Sequence, residues 1–348
     1  MNTGGGTNLP VGQPEARPDA GPGRLPRVVA DGPLDATIEG LLRDRVELLP
    51  WTVALEGSAE PVEGMYTYGH VLVDGAMLDR LPGLKVISNY GVGVDHINLA
   101  DAAARGIPVG NTPGVLEGAT ADLGLALLLA AARRIVEGDR YARSPEFLRH
   151  DPGFMLGREV HGATLGILGL GRIGHQVARR ALGFDMTVLY HNRHRREDLE
   201  RVLAPSVQFV ARDELLARSD FVMLCVPLTD QTRGSLAARE LSLMKREATL
   251  INIARGAVVD TDALTQALAE KRIAAAALDV TEPEPLPRDH PLLTMPHVVI
   301  TPHLGSATVA TRRRMAELSV ENLLAGLRGR PLPHPVAPPG GGPLTKDS

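Results

Sequence analysis

The sequence predicts an α/β protein organised on a doubly wound parallel sheet, and three observations carry that expectation. The run Thr164-Leu-Gly-Ile-Leu-Gly169-Leu-Gly171-Arg172-Ile173-Gly174 leads from a short apolar strand pattern into glycines spaced Gly-x-Gly-x-x-Gly, and helix-forming residues follow from His175 to Leu182. Strand, glycines and helix in that order are the context in which such a spacing signals a dinucleotide site and not a chance glycine-rich turn. Gly169 suits the tight turn, Gly171 lets backbone approach a pyrophosphate, and Gly174 allows helix to pack closely on strand, with helix N-terminal amides facing the anion. Short strand patterns also alternate with helical ones along most of the chain, as parallel sheets require. Finally, 348 residues are enough for two domains of ordinary size, each with its own core.

Composition narrows the function classes. A hydrophobic fraction of 44% and a charged fraction of 22% are those of a soluble globular protein. No apolar run approaches the ~18 residues of a membrane span. A net charge of -4 gives no electrostatic reason to expect nucleic acid or an anionic membrane as partner. The single cysteine, Cys225, excludes an internal disulfide and a multi-cysteine metal site, which suits a reducing cytoplasm. Within Phe221-Val-Met-Leu-Cys225 it reads as core and not as nucleophile. The first residues lack the basic-then-apolar layout of a signal peptide, so a cytoplasmic location is expected.

Along the chain, residues 1–24 are rich in Gly and Pro without periodicity and are predicted to be a disordered tail. A strand at Arg27–Ala30 follows, then a helix over 34–43 and strands at 46–49 and 85–89. Helices near 76–81 and 99–105, then Ile107-Pro-Val-Gly110, extend a small parallel α/β unit. Residues 65–70 read as a loop whose aromatic side chains either line a pocket or simply pack. The Leu/Ala run 119–135 has the strongest helix propensity in the chain, and its apolarity nearly all round predicts burial. Strands at 186–190, 221–225, 249–253, 275–280 and 297–300, with helices such as 261–271, complete a second sheet over 117–303. A late helix over 307–327 falls outside that alternation, and residues 334–348 are predicted to be a second disordered tail.

Four stretches beyond the fingerprint lie at strand ends, where open α/β sheets place ligands. Arg255, just past a strand in Ile253-Ala254-Arg255-Gly256, is suited to hold a carboxylate by two parallel hydrogen bonds, or it is a surface arginine with an ordinary salt bridge. Asp279, Glu282 and Glu284 follow the next strand, and His303 follows the last. A carboxylate beside an imidazole fixes its tautomer and favours its charged form, as a general acid requires, although Glu282 and Glu284 read singly as solvated loop charges. Tyr90-Gly-Val-Gly93 offers backbone amides to an anion, or is a plain strand-to-helix turn.

Taken together, the motifs Asn89–Asp95, Asn111–Val115, Leu165–Gly174, Pro227–Thr232, Ile251–Val259, Leu278–Pro285 and Thr301–Gly305 resemble the D-isomer-specific 2-hydroxyacid dehydrogenase family, in its glyoxylate and hydroxypyruvate reductase branch, across about residues 45–335. The resemblance implies a Rossmann cofactor domain, 117–303, inserted into a flavodoxin-like, discontinuous substrate domain formed by 25–116 and 304–333, in a homodimer. It implies a small 2-oxoacid substrate, Arg255 as carboxylate and carbonyl clamp, and His303, paired with Glu284, as proton donor. Val92 and Gly93 match the amides that hold the substrate carboxylate. Asp279 matches a contact to the nicotinamide carboxamide, and Thr120, Val226, Pro227, Thr232, Ile253, Ala254 and Gly305 match other cofactor contacts. One departure is the stretch His150–Gly157, which lacks a tryptophan that many glyoxylate reductases carry there; the only one here is Trp51.

Cofactor choice is read from the end of the strand after the fingerprint. An NAD site wants a carboxylate there for the ribose 2′-hydroxyl, about 20 residues past the first glycine. Between Met186 and Arg196 there is none. Asn192 can donate to an oxygen and Arg193 or Arg195 can meet a phosphate bidentately. NADPH is therefore expected, with NADH the alternative cofactor and an exposed basic loop the alternative reading of the stretch. A metal site is not expected, because His191 and His194 have no evident further ligand. A phosphoglycerate-type dehydrogenase and a cofactor-sensing corepressor are the other functional readings.

Overall fold

The computed structural model describes residues 24–203 and 205–337. The first unit runs β1 (Arg27–Ala30), α1 (Ala36–Leu42), β2 (Glu47–Pro50), α2 (Thr52–Glu56), β3 (Gly64–Thr67), α3 (Gly75–Asp79), β4 (Val86–Asn89), α4 (Leu99–Ala104) and β5 (Val109–Gly110). Its five strands are all parallel in the order β2-β1-β3-β4-β5. This is the flavodoxin-type order. Successive side chains of a strand face opposite ways, so Val86 joins the core under α1 while Ile87 joins the core under α3 and α4.

The chain then forms α5 (Glu117–Ala132), α6 (Ile135–Ala142), β6 (Thr164–Leu168), α7 (Arg172–Leu182), β7 (Thr187–His191), α8 (Glu197–Leu203), β8 (Val207–Phe209), α9 (Arg212–Arg218), β9 (Phe221–Leu224), α10 (Ala238–Leu243), β10 (Thr249–Asn252), α11 (Thr261–Ala269), β11 (Ala275–Leu278) and β12 (Val298–Ile300). Seven parallel strands lie in the order β12-β11-β10-β9-β6-β7-β8. Counted from β6, this is the Rossmann order with one strand added. The order reverses between β6 and β9, and that crevice at the strand carboxyl ends is where such sheets bind ligands. The expected α/β architecture is borne out.

The last helix, α12 (Val309–Leu327), packs back onto the first sheet, where Met315, Ala316, Val320, Leu323 and Leu324 share a core with Val28, Ile38, Tyr66 and Val86. Its polar residues take part as well. Ser319 Oγ and Tyr66 Oη are 2.7 Å apart, Ser88 Oγ donates to Ser319 O, and Asn322 Nδ2 donates to Asn111 O.

Several expectations need correction. Residues 64–67 are the central strand β3 and not loop; all four are buried, so the run shows no alternation to read. The strand β8 was missed because three residues, Val-Gln-Phe, are too few to show a period. The long helix expected over 119–135 ends at Ala132, because Arg134 turns left-handed (φ 52°) with its guanidinium on Glu137, and α6 starts afresh. At the C-terminal end, His334–Val336 fall within the expected tail but are held: Asn111 N donates to His334 O, His334 N to Asn322 Oδ1 and Val336 N to Val109 O. Arg24, within the expected first tail, ion-pairs with Glu60 at 2.9 Å. The rest of both predicted tails, 1–23 and 338–348, lies outside the described residues. Among the described residues no helix is long and apolar enough to cross a membrane.

Where α12 crosses β4, a Cβ on Gly326 would lie 2.4 Å from Val86 Cβ. No real Cβ contact is that short, so helix and strand would have to separate. We expect Gly326→Ala to cost about 1–3 kcal/mol by overpacking, read as a lower midpoint in urea unfolding.

Candidate active site

The fingerprint glycines each meet a distinct steric demand. Gly169 has φ 101°, and a Cβ there would lie 2.8 Å from the backbone of Cys225 on the neighbouring strand's end. A Cβ on Gly174 would sit 2.1 Å from Gly169 O, so α7 can lie against the turn only without one. A Cβ on Gly171 would meet nothing within 4 Å. Gly171 is also the N-cap of α7, a cap that makes no side-chain hydrogen bond to the helix end. These residues fit a pyrophosphate: a cradle of backbone, open at Gly171, at a helix N-terminus.

Beside it lies a cavity of about 420 Å³, which Gly169, Gly171, Asn192, Arg193, Val226, Pro227 and Thr232 help to line. Among the described residues its lining contains no carboxylate and adds Arg196 and Arg212, which the sequence alone does not single out. Arg195 is not in that lining. Its guanidinium is bound to Glu200, 2.7 Å from Nη2 to Oε2, and Arg196 pairs with Asp198 at 2.8 Å while still bordering the cavity. Arg193 Nη1 reaches Gln231 Oε1 at 3.5 Å. Asn192 is bonded to the fingerprint itself, accepting from Leu170 N at 2.6 Å and donating to Leu170 O. Burial pushes the Cys225 thiol up to about 12, so it stays protonated and is no nucleophile.

A second, larger cleft of about 1410 Å³ opens between the two sheets, lined by Val92, Gly93, Asp95, Arg172, Ile173, Ile253, Ala254 and Arg255 among others. The loop after β4 is oriented through its carbonyls. Asn89 Nδ2 donates to Gly91 O at 2.8 Å and Gly93 O at 2.9 Å, and Asn111 Nδ2 donates to Val92 O at 2.8 Å. Across a planar trans peptide the next N–H points opposite to the carbonyl. The amides of Val92 and Gly93 therefore face away from those asparagines.

Arg255 crosses from the second sheet to meet this loop. Its Nε donates to Asp95 Oδ1 at 3.0 Å and its Nη1 to Ala254 O at 2.9 Å. A Cβ on Gly93 would lie 1.7 Å from Arg255 Nη2, so the guanidinium occupies the space that any side chain there would take. Burial pushes the Asp95 carboxyl up, and the charge and hydrogen bond of Arg255 outweigh it, leaving its pKa below the usual range. Asp95 holds the guanidinium edge-on, a role that spacing alone did not reveal, since the two residues are 160 apart in sequence.

His303 and Glu284 stand next to this pair at the ends of β12 and β11. Glu284 Oε1 lies 2.8 Å from His303 Nδ1. Burial raises the Glu284 carboxyl, and the hydrogen bond and charge of His303 more than offset it, so it is ionised at neutral pH. An ionised carboxylate only accepts, which puts the hydrogen on Nδ1 and leaves His303 Nε2 as the outward nitrogen. Asp279, expected to contact the nicotinamide carboxamide, lies at the end of β11 beside this pair. It is 2% exposed and gathers the loop carrying His303, accepting from Thr301 Oγ1, Leu304 N and Gly305 N at 2.6–2.7 Å. Thr120 on α5 adjoins it across Gly305, where a Cβ would touch both at 3.3 Å.

Two further histidines join the site: His70, the last residue of the stretch 65–70 singled out above, and His96, which no motif announces. His70, in the turn after β3, lies parallel to His303 with ring centroids 5.5 Å apart, and its Nδ1 is 3.4 Å from Nδ1 of the buried His96. The turn is gripped by Asp31, whose carboxylate accepts from Tyr68 N and Gly69 N. Burial, then the charges of Arg255 and His303, hold the His70 pKa below its ordinary value. Burial and His70 pull that of His96 down to about 4.

Comparison with known proteins bears on this arrangement. Residues 125–305 match the family model of the D-isomer specific 2-hydroxyacid dehydrogenase NAD binding domain. A glyoxylate reductase of Korarchaeum cryptofilum is 50% identical over 265 residues, 76% of this chain and 79% of that one. The glyoxylate reductase of Pyrococcus horikoshii is 48% identical over 272 residues, 77% and 80% of the two chains. Among solved structures, an NADPH-dependent glyoxylate/hydroxypyruvate reductase of Sinorhizobium meliloti in complex with NADP and malonate superposes with a TM-score of 0.82 at 32% identity, over 92% of this chain and 99% of that one. A Thermus thermophilus protein does so with a TM-score of 0.81 at 47% identity, over 89% and 100%.

The depressed His96 gives a stability signature. The folded state keeps it neutral down to about 4, whereas the unfolded chain binds its proton near 6.5. Its contribution is thus complete above pH 6.5 and is lost as pH falls toward 4. Between pH 7.5 and 5 we expect His96→Phe to lose less stability than the parent protein by on the order of 2 kcal/mol, measured by urea unfolding at the two pH values.

Proposed function

Because this chain belongs to the D-isomer specific 2-hydroxyacid dehydrogenase family and is an oxidoreductase acting on CH–OH groups with a nicotinamide cofactor, we propose that it reduces small 2-oxoacids, glyoxylate and hydroxypyruvate, to D-2-hydroxyacids with NADPH. The observation that carries this reading is the gathering of Arg255, held by Asp95, and the His303–Glu284 pair around His70, with Arg255 lining a cleft that also borders the fingerprint. When bound, the reduced nicotinamide supplies the hydride. Arg255 Nη2 and the amides of Val92 and Gly93 hold the substrate carboxylate, and a guanidinium also draws charge onto the carbonyl oxygen. His303 gives that oxygen its proton from Nε2, while Glu284 keeps the imidazole oriented. Fixed positions for donor and clamp supply most of the remaining acceleration.

The domain division, with a cofactor unit over 117–303 inserted into a substrate unit of 25–116 and 304–333, is supported by the two sheets and by the return of α12. A homodimer is supported by exposed apolar side chains beyond α6: Phe147, Leu148 (87% exposed), Phe154 and Leu156. A cytoplasmic location rests on the single cysteine.

The purified protein is expected to oxidise NADPH on addition of glyoxylate; inertness toward every 2-oxoacid tested would overturn the proposal. His303→Gln should lower kcat by ~10²–10⁴-fold with little change in KM, because the proton is required in the transition state. Cofactor choice is expected to follow the arginines that border the cavity. Arg193→Ala combined with Arg196→Ala should raise KM for NADPH at least about tenfold and scarcely alter that for NADH, since a hydrogen bond to a charged group contributes ~1.5–3 kcal/mol. Arg195→Ala, already engaged by Glu200, should do less. Equal efficiency of the unmutated enzyme with both cofactors would remove the NADPH assignment.

A further inference from the structure

His70 is the polar group that the reaction as derived above leaves unused. We propose that His70 donates a hydrogen bond from Nε2 to an oxygen on carbon 3 of the substrate, and so selects 3-hydroxylated 2-oxoacids over their alkyl counterparts. This inference rests on the reading of the site as a 2-oxoacid reductase. The hydrogen on His70 is placed by its neighbour. His96 is 7% exposed, and its Nε2 is buried with no hydrogen-bond partner among the described residues. An unpaired buried N–H is rarer in proteins than an unpaired buried acceptor, so the His96 hydrogen belongs on Nδ1, the nitrogen 3.4 Å from His70 Nδ1. His70 Nδ1 must then accept. Its own hydrogen lies on Nε2, at the edge turned away from His96.

That edge is turned from the buried His96, and the ring it belongs to stacks on His303 with centroids 5.5 Å apart. The groups that face His70 are Arg255, His303, Asp95, Glu284 and His96, and burial, then the charges of Arg255 and His303, disfavours its protonated form. A neutral imidazole with hydrogen on Nε2 is a fixed donor. Arg255 and His303, both carried by the second sheet, take the carboxylate and the carbonyl oxygen. What is left of a small 2-oxoacid is the substituent on the carbonyl carbon, and on the first-sheet side the polar group beside Arg255 and His303 is His70. Its position is not left to a loop's freedom, since His70 holds φ 66° in a turn fastened by Asp31 and its ring lies parallel to His303 at 13°.

The test compares hydroxypyruvate with pyruvate, which differ only by the 3-hydroxyl, at saturating NADPH in the full-length enzyme. The ratio of their kcat/KM values is expected to favour hydroxypyruvate in the parent and to fall about tenfold in His70→Phe, which keeps a flat ring and loses the donor. His70→Gln, which retains an N–H, should restore part of the ratio, and His96→Phe, which frees the tautomer, should lower it partway. If His70→Phe does not fold, His70→Ala carries the same comparison. Glyoxylate has no third carbon and reports whatever effect passes through His303. An unchanged ratio, or an equal fall with all three substrates, overturns the proposal and assigns His70 to holding the His303 ring. Calorimetric dissociation constants for D-glycerate and D-lactate with NADP⁺ give the same ratio without turnover. A parent protein that reduces none of the 2-oxoacids yet binds D-glycerate more tightly in a His70-dependent way keeps this contact and loses the reductase reading; one that shows no such preference loses both.

Discussion

A buried carboxylate, Asp279, governs how the two halves of this chain meet. Sitting at the end of β11, it accepts from Thr301, Leu304 and Gly305, and its own carbonyl takes the amide of His303. Those bonds fold the chain sharply after β12, set His303 at φ 55°, and launch α12 toward the other sheet. A buried charge is tolerated only when donors surround it. Here the donors are the residues that the site needs in place, so satisfying the charge and placing the imidazole are one event. Glu284 then completes the placement from the adjoining strand end.

The site is thus assembled from strand ends of two sheets whose cores are separate. Arg255 and Asp95 bridge them, with each oriented by its own sheet: Arg255 through Ala254 and Asn252, Asp95 through the loop that Asn89 and Asn111 hold by its carbonyls. Gly93 matters here for the space it leaves and not for an unusual backbone angle. A guanidinium pinned by a neighbouring carboxylate has fewer orientations to lose when a ligand arrives, which is how preorganisation strengthens binding and catalysis.

Much of this was legible in the sequence where the determinant is local. The fingerprint, the strand-end placement of Arg255 and His303, and the alternation of strand and helix all lie within windows of a dozen residues or so, and the observed elements begin and end close to the expected ones. What stayed hidden depends on distance. Residues 65–67 read as loop because a strand buried on both faces has no alternation. Asp95, His70 and His96 acquire roles only when the first sheet is laid against the second. The basic loop shows the limit most plainly: composition could point to arginines, but which one borders the cavity is set by Glu200 and Asp198, whose carboxylates engage Arg195 and Arg196 in different directions.

The return of α12 has a consequence for how the protein is made. The residues that complete one face of the first sheet, from Met315 to Leu324 together with Leu332, are synthesised after the whole of the second sheet. Domains fold largely as units as they emerge during synthesis. The inserted unit has all its strands and covering helices in one unbroken stretch and can close its core on emergence, whereas Val28, Ile38, Tyr66 and Val86 must wait, with that face open to water, for a helix near the end of the chain. Of the two sheets, the one whose strands begin earlier in the chain is the one finished later, and its face stays open to water in the interval.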